Sequence, residues 1–205
     1  ENSFELPTDI LKNLIKQTVF AVSTAETRPI LTGVNMTIKE DKLSFVATDS
    51  HRLASRSIPL TNVAASLVNK TAVIPGKSLN ELNKILDDSQ ENLEISVTDN
   101  QILFRTKHVL FLSRLLDGNY PETSRLIPEQ SKTNVVTDTK SLLNSIDRAS
   151  LLAKESRNNV VKLVTKGTSN LEISSNSPEV GKVLDEVFVD SIEGEELKIS
   201  FSSKY

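Results

Sequence analysis

The sequence has 205 residues, 24 Lys and Arg against 27 Asp and Glu (net charge −3), and 38% hydrophobic residues, which suits one large or two small globular domains. Trp is absent and aromatics reach only 4%, so Leu, Ile and Val must build the core. The absence of cysteine excludes disulfides, thiolate nucleophiles and cysteine metal sites, and no apolar run or leader reads as a membrane span or signal peptide.

The chain opens on FELPTDILKNLIKQT, an extended stretch leading into a helix. Thr8 and Asp9 are N-cap candidates. Leu11, Leu14, Ile15, Thr18 and Val22 recur at helical spacing, with Lys12, Asn13, Lys16 and Gln17 on the other side. Such a basic-polar face is either a solvated surface or one turned toward a polyanion. VNMTIK and KLSFVAT then alternate as half-buried strands about a Glu40–Asp41 turn, and HRLASRSIPL reads as a third strand ending at Pro59.

The same order recurs. In AVIPGKSLNELNKIL, Ser78 can cap a helix carrying Leu79, Leu82, Ile85 and Leu86, with Lys77 and Lys84 on or near its polar side. ENLEISVTDN and QILFRTKHVLFLSRLL follow as hairpin strands around Asp99–Asn100. DGNYPETSRLIPEQSKT, with one Gly and two Pro among polar turn formers, has linker composition. A third copy opens with NVVTDTKSLLNSIDRAS. Leu142, Leu143, Ile146 and Leu151 or Leu152 supply its apolar side, Lys140 and Arg148 are exposed, and VVKLVTK and NLEISSN are its strands.

This repeat predicts an α+β architecture of β-α-β-β-β modules. The first two modules, about 1–62 and 70–120, share one sheet system in a domain over 1–122. A linker spans 123–133, and 134–205 is part of a further domain. Both chain ends lie beside strand-like segments and read as cut, so a fragment is expected.

Catalytic signals are sparse. His51 and His108 show no metal-ligand spacing, and neither a glycine-rich phosphate loop nor a G-x-S-x-G elbow occurs. The densest polar cluster is Thr48-Asp49-Ser50-His51-Arg52-Leu53. Asp49, Ser50 and His51 invite a hydrolase reading, but neighbours along one strand or turn point apart, whereas triad members converge from separate segments. Two other readings stand. One is a polar turn whose Asp and Ser satisfy backbone donors. The other is a binding rim, where Arg and His grip a peptide's polar atoms beside an apolar Leu53. A single-strand-binding module is disfavoured by the scarcity of aromatics for stacking.

VATDSHRLA, following RPILTG and preceding IPGKSLNEL, resembles the bacterial sliding clamps, the beta subunits of DNA polymerase III. DGNYPETSRLIP, RASLLAKE, NLEISSNSPEVGKVLDEV and EELKISFSSKY match that family's pattern in order, so the resemblance covers the whole chain. It implies the DNA-clamp fold, with helices on one face and antiparallel sheets on the other, and a chain spanning the middle domain and the first part of the third. It further implies a cytoplasmic, non-catalytic processivity factor without cofactor or metal, whose protomers close head to tail as a homodimeric ring around duplex DNA. Its partners would be DNA, the polymerase catalytic subunit, the clamp loader and other proteins with a clamp-binding motif.

By the same resemblance, the family's peptide-binding groove maps to Leu31, Thr48, Ser50, His51, Arg52, Leu53, Pro121, Arg125 and Leu126, with Ser50 where many clamps carry Gly. DNA contacts map to Arg28 and Lys77. Lys12, Lys16, Lys84, Lys140 and Arg148 are further inner-face cations by periodicity. Leu151 and Leu152 map to the ring interface, with helix core as their alternative role.

Overall fold

The structure, a computed structural model, describes residues 2–205. Contacts divide the chain into two compact units, the first reaching Glu122 and the second running from Thr123 to Tyr205.

In the first unit, β1 (Ser3–Pro7) buries Phe4 and Leu6 on one side, as period-2 alternation dictates. It runs directly into α1 (Thr8–Lys16), which buries Leu11, Leu14 and Ile15. Pro7, not Thr8 or Asp9, occupies the N-cap, with no side-chain cap. The first-turn donors are met from elsewhere: the Thr8 and Asp9 amides donate to the Glu91 and Ser89 carbonyls, both at 3.0 Å. The helix stops at Lys16, and a 3-10 turn (Val19–Ala21) follows, so Val22 is extended rather than helical.

A second 3-10 turn (Pro29–Thr32) leads to β2 (Gly33–Lys39), β3 (Lys42–Thr48) and β4 (Leu53–Pro59). The β2–β3 hairpin closes over Glu40 and Asp41, with Glu40 at φ 53, the left-handed backbone a two-residue hairpin needs. β5 (Thr71–Pro75) then enters α2 (Gly76–Ile85), again through a proline N-cap. Ser78 is therefore inside the first turn, where its hydroxyl accepts from Ser113 Oγ at 2.8 Å. Ile85, expected on the apolar face, is half exposed. β6 (Asn92–Val97), β7 (Gln101–Arg105) and β8 (Leu110–Arg114) complete the unit. The stretch expected as one strand after Asn100 breaks in two at Thr106, whose hydroxyl accepts from the His108 and Val109 amides.

The two modules do not share one sheet; they exchange strands between two. β1 joins β6-β7-β8, and β5 joins β2-β3-β4, giving the orders β1-β6-β7-β8 and β4-β3-β2-β5. All pairings are antiparallel. α1 and α2 lie side by side. One core joins Leu14 and Leu82 of the helices to Met36, Phe45, Ile95 and Phe104 of both sheets. Neither module can bury its apolar face alone, so the exchange makes them one cooperative body.

The second unit repeats the module. β9 (Thr133–Val136) leads to α3 (Thr139–Glu155), capped by Asp138, which accepts the Ser141 amide at 2.8 Å. β10 (Val160–Lys166), β11 (Asn170–Ser177), β12 (Gly181–Phe188), β13 (Ser191–Gly194) and β14 (Lys198–Ser202) follow. The main sheet runs β12-β11-β10-β14, and β13 pairs with β9. α3 packs on β10, β11 and β12 through Ala149 and Ala153, against Val161, Leu171 and Ile173. Leu142 and Ile146 pack at the edge of this core, whereas Leu143 is more than half exposed.

Candidate functional site

The turn between β3 and β4 is built by its own side chains. Asp49 Oδ1 accepts the His51 amide at 2.9 Å and the Arg52 amide at 3.0 Å. Thr48 Oγ1 donates to the Arg52 carbonyl at 2.6 Å and accepts the Ser50 amide at 3.2 Å. Burial pushes the Asp49 carboxyl up, but the His51 and Arg52 amides and the adjacent Arg52 guanidinium outweigh it, so its pKa lies below the ordinary value. Ser50 is held at φ 77, left-handed backbone that costs a side-chain-bearing residue about 1 kcal/mol and that glycine adopts freely. From below, the Tyr120 hydroxyl accepts the Thr48 amide at 3.0 Å, and burial raises the phenol's pKa.

Two arginines tie this turn to the segment after α1. Arg52 Nη2 donates to the Phe20 carbonyl at 2.8 Å, its guanidinium lies 5.4 Å from the Phe20 ring centroid, and its Nε is 3.3 Å from Asp49 Oδ2. Arg28 Nη1 donates to Ser50 Oγ at 3.0 Å. This arrangement contradicts the hydrolase reading. The Asp49 carboxylate is committed to two backbone amides and a guanidinium, and the Ser50 hydroxyl accepts from an arginine. Among the described residues no group of three or more His, Cys, Asp or Glu side chains could hold a metal.

Five of the expected groove residues of the first unit lie along one turn. Thr48, Ser50, His51, Arg52 and Leu53 form the turn and the first residue of β4, with Ser50 and His51 exposed and Leu53 half-buried. Pro121 is half-buried beside Tyr120 in sequence. Leu31 has only 2% of its surface accessible, so it lies beneath the surface instead of lining it. In the second unit, Arg125 and Leu126 are exposed on a 3-10 turn. Tyr120 also borders a polar cleft of about 280 Å³ with Asn35, Asp99 and Asp117, but Leu31 and Leu53 are not among its walls.

The helix cations separate into two classes. Lys12 is tied to Asp88 at 2.8 Å and to the Leu86 carbonyl at 3.0 Å, and Lys84 pairs with Glu81 at 2.9 Å. Arg148 is bonded to Asp185, its Nε at 2.9 Å from Oδ2. These three are occupied side chains rather than open inner-face charges. Lys16, Lys77 and Lys140 are exposed, and no ion pair ties them among the described residues. Leu151 and Leu152 also part company: Leu151 is 66% exposed, while Leu152 is buried.

Sequence reasoning missed Phe20 and Tyr120. Phe20 falls off the helical stripe and is 56% exposed. Tyr120 is the one aromatic in a polar, turn-forming stretch. Both were legible as exceptions to their surroundings.

Comparison with known proteins decides the family. The profile of the DNA polymerase III beta subunit central domain matches residues 5–122, and that of its C-terminal domain matches residues 124–205. The chain belongs to the DNA polymerase III beta subunit family. It is 60% identical over 204 residues to the beta sliding clamp of Bacillus subtilis, covering all of this chain and 53% of that relative, and 51% identical to the Staphylococcus aureus beta sliding clamp. It thus spans about half the length of the relatives it matches. The crystal structure of the B. subtilis DNA polymerase sliding clamp superposes with a TM-score of 0.93 over 98% of this chain and 53% of that one. A Streptococcus pneumoniae DNA polymerase III beta chain superposes at 0.92 with 41% identity, over all of this chain and 54% of that one. A Pseudomonas aeruginosa sliding clamp solved with bound griselimycin superposes at 0.89 with 28% identity, over 98% of this chain and 53% of that one. The α+β clamp fold is therefore shared, and no described helix is long and apolar enough to cross a membrane.

Proposed function

We propose that this protein acts as a sliding clamp of chromosomal replication, a non-catalytic ring that holds the polymerase on duplex DNA in the cytoplasm. The observation that carries this reading is the ordered match of two successive beta-subunit domains along one chain. Two protomers would close the ring. Lys16 and Lys77, exposed on α1 and α2 without ion pairs among the described residues, would meet phosphates without reading bases. A clamp that must slide needs contacts of this kind, and the net charge of −3 limits adhesion elsewhere.

The polymerase catalytic subunit, the clamp loader and other partners would dock a short peptide on the turn at Thr48–Leu53. Leu53 offers apolar contact there, and His51 and Arg52 offer polar contact to a Gln side chain or to peptide backbone. The P. aeruginosa clamp was solved with griselimycin bound, so a relative of this fold takes a ligand. The test is a fluorescein-labelled peptide carrying Gln, Leu and Phe, titrated into the full-length protein. Leu53→Ala and Arg52→Ala should each weaken it, and equal affinity in both variants and the unaltered protein rejects the assignment.

A further inference from the structure

Phe20 stands outside every residue set the resemblance supplied. It sits in the 3-10 turn after α1, on a different segment from the β3–β4 turn, and leaves more than half its surface open. Neighbouring Val19 and Ala21 are buried, and what sets the exposed Phe20 ring apart is the contact it makes. Arg52 reaches back from the peptide rim, donates to the Phe20 carbonyl at 2.8 Å and lays its guanidinium 5.4 Å from the ring centroid. That distance is within the range of cation–π attraction. On the other side, Asp49 Oδ2 lies 3.3 Å from Arg52 Nε, an ion-pair contact rather than a hydrogen bond. A long, rotamer-rich side chain is thereby fixed from two directions before any ligand arrives.

We propose that Phe20 is a positioning residue for peptide recognition, acting through Arg52. Its ring restricts the Arg52 guanidinium to one orientation at the rim, so the side-chain entropy that peptide binding would otherwise remove is already lost. Arginine and an aromatic face suit this role because the planar guanidinium stacks while its N–H groups still point outward in its own plane. The inference rests on the peptide-rim reading above. It adds that specificity at the rim is set partly from the segment following α1.

The experiment is a double-mutant cycle in the full-length protein, read by anisotropy of the same fluorescein-labelled peptide. Phe20→Leu removes the ring and keeps the carbonyl acceptor. It should weaken the peptide about two- to fivefold, the range expected for one exposed cation–π contact. Phe20→Trp keeps an aromatic face and should restore affinity. In Arg52→Ala protein, adding Phe20→Leu should produce no further loss, because Phe20 then has nothing to position. Thermal midpoints of all variants should agree within a few degrees, since the ring is largely solvent-exposed.

Unchanged affinity in Phe20→Leu overturns the inference while leaving the peptide rim intact, and so do losses that multiply in the double variant. Failure of the unaltered protein to bind the peptide sinks the rim reading itself, and this inference with it. A loss in Phe20→Leu that Phe20→Trp does not rescue also counts against it.

Discussion

Replacing Asp185 tests how the second unit holds its helix. Asp185 on β12 takes three bonds on one oxygen, from Ser145 Oγ at 2.9 Å and from Arg148 Nε and Nη2. Ser145 is fully buried, whereas the Arg148 side chain is 58% exposed. The two halves of the network should therefore differ in weight. A buried hydroxyl left without an acceptor costs about 1–3 kcal/mol. The partly exposed ion pair contributes no more than about 1 kcal/mol after solvent screening. Asp185→Ala loses both and should destabilise the unit by about 2–3 kcal/mol. Arg148→Ala should cost about 1 kcal/mol or less, and Asp185→Asn, which keeps an acceptor, about 1 kcal/mol. Native-state hydrogen exchange on the α3 amides reads the result locally, with Asp185→Ala accelerating exchange about 30- to 160-fold. The Arg148 and Ser145 bonds hold the Asp185 pKa below its ordinary value of 3.8. The stabilisation is thus complete above that value and is lost as pH falls through the lowered folded pKa. The Asp185→Ala penalty should be full at pH 7 and shrink in acid. An Arg148→Ala penalty as large as that of Asp185→Ala would refute the reasoning, because the exposed ion pair would then carry the energy.

Tyr120→Phe removes the acceptor of the Thr48 amide and should cost about 1–2 kcal/mol, with faster exchange confined to the Thr48–Leu53 turn; uniform destabilisation would contradict a local role. Gly33→Ala places a Cβ 2.7 Å from Val73 Cγ1 and 2.9 Å from the Ile74 carbonyl, so it should destabilise the first unit in urea by about 1–3 kcal/mol. Lys77→Ala in the full-length protein should lower DNA affinity for all sequences alike and reduce the salt slope by about one, whereas Arg148→Ala, already paired, should change the slope little.

The fold was readable where period and chemistry agreed. Leu11, Leu14 and Ile15 at helical spacing, and the alternation of KLSFVAT, marked α1 and β3 because burial of one face dictates both patterns. Helix starts were less legible. Proline took the N-cap of α1 and α2, and in α1 the distant Glu91 and Ser89 carbonyls accept first-turn donors that a local cap would otherwise have met. Strand exchange between modules was invisible, because β1 carries the same alternation whether it pairs with its own module or with β6. At the site, the polar turn stood out in sequence, but the fate of its charges did not. Lys12 and Arg148 sat on polar helix faces as expected, yet their partners Asp88 and Asp185 are remote in sequence. Leu151 and Leu152, adjacent and chemically equal, were separated only by the helix's 100° step per residue.

The claim that this protein works by topology is tested most directly on circular DNA. Full-length protein loaded on a nicked circle should stay bound through a high-salt wash that screens phosphate contacts, and should be released when the circle is cut once. Retention on the linear product, or complete loss in the salt wash while the circle is intact, would contradict the account.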